Sequence, residues 1–250
     1  MIKISPIMFF VFQCMVCVSQ TISGEVVYTK KLNFEELKDR IGQDNNEQTV
    51  LFLEKLQKES QNNEYLLSFS GKESNYTMVK RLVNDSDRGA LSKLNLGSFI
   101  GDFYFNFQTN ETIHKKEHLG EPILMLSYTD PQWQILDEEK IIGGYRCTKA
   151  EWDIVYNDIN NNPKHNKIIA WYTQELKMPF GPEKYNSLPG LILEVEDGRS
   201  RIVAKEIKIH KDSSIVKIKK PKGGREITEK EFEEEARRII LQRMGKTGNK

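Results

Sequence analysis

The 250 residues carry 37 Lys and Arg against 36 Asp and Glu, a formal net charge of +1, with 38% hydrophobic and 10% aromatic content. That composition supports a substantial core and excludes wholesale disorder, while the near-zero charge gives no global pull towards nucleic acid or an anionic membrane. Three cysteines cannot staple a chain of this length, and one long apolar run, at the N-terminus, excludes a polytopic membrane protein.

Lys3 precedes an apolar run over 4–18, broken by Ser5, Pro6 and Gln13 and followed by Ser19, Gln20, Thr21 and Ser23. A basic start, a short apolar stretch and small or polar residues after it predict a signal peptide over 1–20, ahead of a single domain over 21–250. Cleavage there removes Lys3, Cys14 and Cys17, leaving 36 basic and 36 acidic groups and Cys147 as the one thiol. Two alternatives keep the segment: a retained anchor, or a lipid on Cys14 or Cys17, against which the bulky Phe12-Gln13 and Met15-Val16 pairs count. Export places the mature chain in the periplasm, at the outer membrane or outside the cell, with no transmembrane span left after cleavage.

Residues 22–30 alternate as a first strand, with Val26 and Tyr28 on one side and Glu25, Val27 and Thr29 on the other. Asn33 as cap, Glu36 three residues on, the face Phe34, Leu37 and Ile41, and Gly42 as stop predict a helix next. From 64 to 210 the period becomes two, in short runs separated by Gly, Asn, Asp and Pro, as in antiparallel sheet. Its clearest case is 102–108, which sends Phe103, Phe105 and Phe107 to a buried face and Asp102, Tyr104, Asn106 and Gln108 to a solvated one. Asp197-Gly198 predicts a hairpin. Between Arg199 and Arg225 stand ten basic and two acidic residues, read as a solvated strand face or edge guarded by lysine. Thr228 with Glu231 caps a closing amphipathic helix whose apolar face is Phe232, Ala236, Ile239, Ile240 and Met244. The fold class expected is therefore α+β and mainly antiparallel β, a curved and half-barrel-like sheet with helical segments at the two ends of the mature chain.

Chemistry is sparser. His114-Lys115-Lys116-Glu117-His118 matches H-x-x-E-H, but two imidazoles and a carboxylate serve a metal in that spacing only on a helix, and here they lie among strands. Cys147 could act as a nucleophile if a base or cation lowered its pKa, with Lys149 on its own face and His165 or His210 reaching it through the fold; a small buried hydrophobe is the plainer role. No G-x-S-x-G, phosphate loop or dinucleotide fingerprint occurs, so neither cofactor nor metal is expected. The sequons at Asn75, Asn84 and Asn110 are compatible with export.

The densest set of special residues is Trp171-Tyr172-Thr173, Pro179-Phe180-Gly181-Pro182 and the run Ser187-Leu188-Pro189-Gly190-Leu191-Ile192. With Gly143-Gly144-Tyr145-Arg146-Cys147-Thr148-Lys149-Ala150 upstream, it resembles the GLPGLI family, exported proteins of Bacteroidota-type bacteria with no settled activity. Ser187 stands where the family's first glycine belongs. The resemblance implies compartment and fold rather than a reaction, and makes Tyr145, Cys147, Lys149, Trp171, Tyr172, Gly181, Pro182, Leu188, Pro189, Gly190, Leu191 and Ile192 the motif or binding candidates. Pro189 fixes φ and Gly190 permits a positive one, so this stretch reads as a tight turn feeding a strand.

The function expected is a noncatalytic exported envelope protein that binds an apolar ligand, a lipid or a protein partner on its sheet. The alternatives are an exported hydrolase or thiol- or metal-dependent enzyme using Cys147 or the histidine pair, and a structural adaptor in envelope assembly.

Overall fold

The computed structural model describes residues 22–33, 51, 63–79, 101–128, 130–157 and 162–247. Strands β1 (Ser23–Leu32), β2 (Glu64–Ser70), β3 (Glu73–Met78), β4 (Asp102–Asn106), β5 (Glu111–His118) and β6 (Glu121–Ser127) follow one another as an antiparallel meander. Strands β7 (Gln134–Ile142), β8 (Tyr145–Asn157), β9 (Pro163–Thr173), β10 (Leu191–Glu196) and β11 (Ser200–His210) make a second. The first strand of one meander zips to the last of the other, from Ser23 opposite His210 to Leu32 opposite Ser200. The short β12 (Arg225–Thr228) then crosses to the far side and adds parallel to β6, and helix α1 (Glu229–Thr247) follows it. The result is one open sheet in the order β12-β6-β5-β4-β3-β2-β1-β11-β10-β9-β8-β7.

Local sequence accounts for much of this. Val26 and Tyr28 are fully buried, as the alternation of β1 requires. The hairpin at Asp197-Gly198 closes with the Asp197 N–H donating to the Ser200 carbonyl (3.1 Å), and Gly198 takes φ 75°. At the start of α1 the Thr228 N–H donates to Glu231 (2.8 Å) and the Glu231 N–H to Thr228 Oγ1 (3.2 Å), the reciprocal capping box. Phe232 turns onto β5, and Ala236 and Ile239 are half-buried; the side chains of Ile240 and Met244 lie outside the described residues.

Two expectations change, and two others fall outside the described residues. The N-terminal helix over 33–42 falls, from residue 34 on, outside the described residues, as does the signal peptide, so the described structure is a sheet with a C-terminal helix. The strand at 102–108 ends at Asn106, Phe107 sits 44% exposed in the following turn, and Tyr104 and Asn106 are buried rather than solvated. The cause is the 211–224 connection, which covers that side: Tyr104 packs with Ile113, Leu124 and Ile218, and its hydroxyl donates to Glu73 (2.6 Å). Of the two readings of the basic stretch, β11 takes the solvated face, with Arg201, Lys205 and Lys208 exposed, and not the edge, because it runs between β1 and β10. Several cations of the stretch are locally matched, Lys205 by Glu64 (2.7 Å) and Lys220 by Glu111 (2.6 Å).

Candidate functional site

The motif residues build the core. In the 174–190 loop the chain folds back on itself, with Ser187 N–H donating to the Pro179 carbonyl (3.0 Å), Leu191 N–H to Leu176 (2.9 Å) and Ile192 N–H to Phe180 (2.9 Å). The Gly190 N–H donates to the Leu188 carbonyl (2.7 Å), so Pro189 centres a three-residue γ-turn that its fixed φ suits. Gly190 has no positive φ; it is glycine because a Cβ there would lie 2.1 Å from the Thr173 carbonyl oxygen. Gly181 answers the same need, with a Cβ falling 2.4 Å from the Tyr185 carbonyl oxygen. The positive φ of the motif belongs instead to Ser187, at 67°. Leu188, Leu191, Ile192 and Tyr172 are buried, Pro182 is buried beside Gly181, and Pro189 is exposed.

The upstream candidates divide. Tyr145 packs on the main apolar cluster, and Lys140 lies over the Trp171 ring at 4.2 Å while pairing with Glu194 (2.8 Å). Lys149 pairs with Glu138 (2.9 Å) and Glu151 (3.3 Å) and leaves the thiol alone. Cys147 is fully buried, and burial pushes its thiol up to about 11, the reverse of what a nucleophile needs. His165 stands opposite Val155, eight residues further along β8 and roughly 26 Å away at strand rise.

An anchoring network holds the loop. The buried Asp197 carboxylate accepts from the Tyr185 hydroxyl (2.7 Å), Arg199 (2.7 and 3.2 Å) and the Ser200 N–H (2.8 Å). Burial pushes its carboxyl up, but the Arg199 charge and these hydrogen bonds outweigh that and hold it below its ordinary value. Beside it Glu183, at φ 54°, pairs with the buried Lys30 of β1, and the Trp133 indole donates to the Asn186 carbonyl (2.8 Å).

The unmatched chemistry lies elsewhere, on β3, β4 and β5. Tyr76, Phe103 and His114 are direct cross-strand neighbours. Phe103 stacks on His114 with ring centres 4.0 Å apart, Tyr76 meets Phe103 edge-on at 6.5 Å, and Tyr65 stacks on Tyr76 at 5.4 Å. Such pairs contribute roughly 0.5–1.5 kcal/mol each beyond simple burial. The Tyr76 hydroxyl, on a side chain 2% exposed, has no hydrogen-bond partner among the described residues, which costs about 1–3 kcal/mol unless a guest or water supplies one. Burial, with Glu183 adding to it, drives that phenol's pKa well up, so it stays a neutral donor.

One step along β5, Lys116 is 8% exposed and its ammonium sits 3.6 Å over the Phe232 ring of α1. Burial lowers its pKa to about 8, against the pull of Glu229 and helped by Lys184. His118 completes the row, 4.9 Å edge-on to Phe232 and 3.8 Å from Glu235. Both histidines of the H-x-x-E-H match therefore lie on a strand with their rings on aromatics, and no metal-ready group of three or more His, Cys, Asp or Glu occurs among the described residues. In the sequence His114 and His118 stand out only as a metal motif misplaced among strands, and Tyr76 and Lys116 do not stand out at all. The available signal was the alternation of His114, Lys116 and His118, three polar residues on one strand face.

A family model described as a protein of unknown function (Porph_ging) matches residues 156–194, which hold the end of β8, all of β9 and the motif loop. Two solved structures of PNGF-II, in space groups P21 and C2, are similar at 17% identity with TM-scores of 0.47 and 0.46. They cover 85% and 83% of this chain, which spans only 32% and 31% of theirs, about a third of their length. No curated protein matches.

Proposed function

We propose that this chain is an exported, noncatalytic GLPGLI-type envelope protein that binds an apolar ligand across the Tyr65, Tyr76, Phe103 and His114 tier of a curved, half-barrel-like sheet. The observation that carries the reading is the buried Tyr76 hydroxyl, without a hydrogen-bond partner among the described residues, within a continuous row of stacked and edge-on aromatic rings. Curvature is supported at the other meander: a Cβ on Gly143, in the β7–β8 turn, would lie 3.7 Å from Ile207 of β11. In a flat sheet those strands stand about 14 Å apart. The N-terminal apolar run supports export.

The enzyme alternative based on Cys147 is opposed by the raised thiol pKa, and the one based on His114 and His118 by their aromatic stacking. Among the described residues no helix is long and apolar enough to cross a membrane. Native mass spectrometry of the protein purified from its own envelope tests the proposal. A tightly bound apolar molecule, released by organic extraction, is the expected result; an empty chain in every preparation, still unable to take up a neutral alkyl probe, would overturn it.

A further inference from the structure

Resting on that reading, we propose that the seam between β5 and α1 receives the anionic head of a single-chain amphiphile, with Lys116 as its ammonium. The apolar chain of the guest then lies on the aromatic tier next to it.

The charges at this seam decide the sign of the head. Lys116, more than nine-tenths buried, makes its cation–π contact with Phe232 but no hydrogen bond or ion pair among the described residues. A desolvated ammonium without an anionic oxygen is costly, and an aromatic face replaces only part of its lost hydration. Lys184, half-buried on the loop, acts on Lys116 as a like charge and also has no ion pair among the described residues.

Two carboxylates of α1 near Lys116, Glu235 and Glu229, have partners of their own. Glu235 takes Arg225 through both oxygens (3.3 and 3.0 Å) and stands 3.8 Å from His118. Glu229 accepts from the Ser127 hydroxyl (3.2 Å) and attracts Lys116 without touching it. Burial first, then Glu229, raises the Glu233 carboxyl against the pull of Lys184, and its side chain stays exposed. The unfilled demand, at the buried Lys116 ammonium, is for an anionic oxygen, carboxylate or phosphate. The register places the rest of the guest: His114 precedes Lys116 by two residues on β5 and is opposed by Phe103 and then Tyr76, so the aromatic tier starts one pair from the ammonium.

Calorimetric titration of the purified full chain tests this with dodecanoate, dodecyl phosphate, dodecanol and, as headgroup alone, acetate and inorganic phosphate. The expected result is that both anionic amphiphiles bind at least tenfold tighter than dodecanol, while acetate and inorganic phosphate do not bind measurably. Lys116→Met, close in length, should abolish that tenfold preference and leave dodecanol affinity within twofold, and Lys116→Arg should keep most of it. In the unaltered protein the preference should fade between pH 7 and 9, which carries the test even if the Met variant does not fold.

Equal affinity for dodecanoate and dodecanol, or an undiminished preference in Lys116→Met, would overturn the headgroup assignment and leave apolar binding standing. Binding of acetate or phosphate as tight as that of the amphiphiles would make the seam a free-anion site and overturn the amphiphile. Failure of every long-chain probe would overturn the ligand-binding reading beneath it.

Discussion

Ser187 holds a φ of 67° that a glycine adopts freely and a side chain does not. The left-handed conformation costs an L residue roughly 1–2 kcal/mol, and glycine returns about half of that as unfolded-state entropy. Ser187→Gly should therefore stabilise the chain by about 0.5–1 kcal/mol in urea unfolding, even though it removes the Ser187 hydroxyl contact with Asn186 (2.8 Å); a loss of stability would show that the hydroxyl contact outweighs the strain. Gly190→Ala should do the opposite, losing about 3 kcal/mol or more, since its Cβ would collide with the Thr173 carbonyl. The sequence showed that this motif governs a turn but misassigned the reason: the freedom sits at Ser187, and Gly190 is there for clearance. Which glycine needs space depends on a strand lying against it, here β9, and spacing along the chain carries no record of that neighbour.

At the scale of elements, two junctions carry ionisable groups whose titration can be followed. The β10–β11 turn depends on Asp197, whose carboxyl is held below its ordinary 3.8 in the folded chain. Its contribution is therefore complete above pH 3.8 and is lost as the pH falls through the lower, folded value. Asp197→Asn, which removes the ion pair of the partly buried Arg199 with Asp197, should cost about 3 kcal/mol at neutral pH and flatten the acid limb of the stability curve; an unchanged acid limb would contradict the assignment. The β5–α1 seam behaves in the reverse sense. Burial lowers Lys116 from 10.5 to about 8, so across that window the unfolded chain holds a proton that the folded chain has released, and stability rises with pH. His118, Glu229, Glu233 and Glu235 face the same seam with Arg225 and Lys184, so the informative quantity is the difference between the wild type and Lys116→Met. That difference should grow in favour of the wild type from pH 8 to 10.5, with the variant equal or about 1 kcal/mol more stable at pH 7; parallel curves would refute it. The hairpin and the capping box were legible because each is local chemistry within four residues. The inward face of β5 was not, because His114, Lys116 and His118 look like a solvated face until α1 and the aromatic tier are placed on it.

Across the whole molecule, the sheet depends on pairing Ser23 with His210, an association that no local pattern announces. Alternation did reveal antiparallel strands and the closing helix. It failed where the sheet is covered twice: Tyr104 reads as outward-facing only until the 211–224 connection lies over it; for the basic residues of β11 it left a solvated face and an edge open, and setting β1 beside them leaves the face. In the binding proposal the buried Tyr76, Phe103 and His114 tier, rather than an exposed apolar side chain elsewhere, holds the guest. The most direct measurement is photolabelling of the native protein with a neutral long-chain alkyl diazirine, followed by peptide mapping with and without excess dodecanol. The account predicts competitor-sensitive adducts on the peptides carrying Tyr76, Phe103 and His114; adducts confined to the exposed Ile135, Ile141 and Val155, or labelling that dodecanol does not suppress, would contradict it.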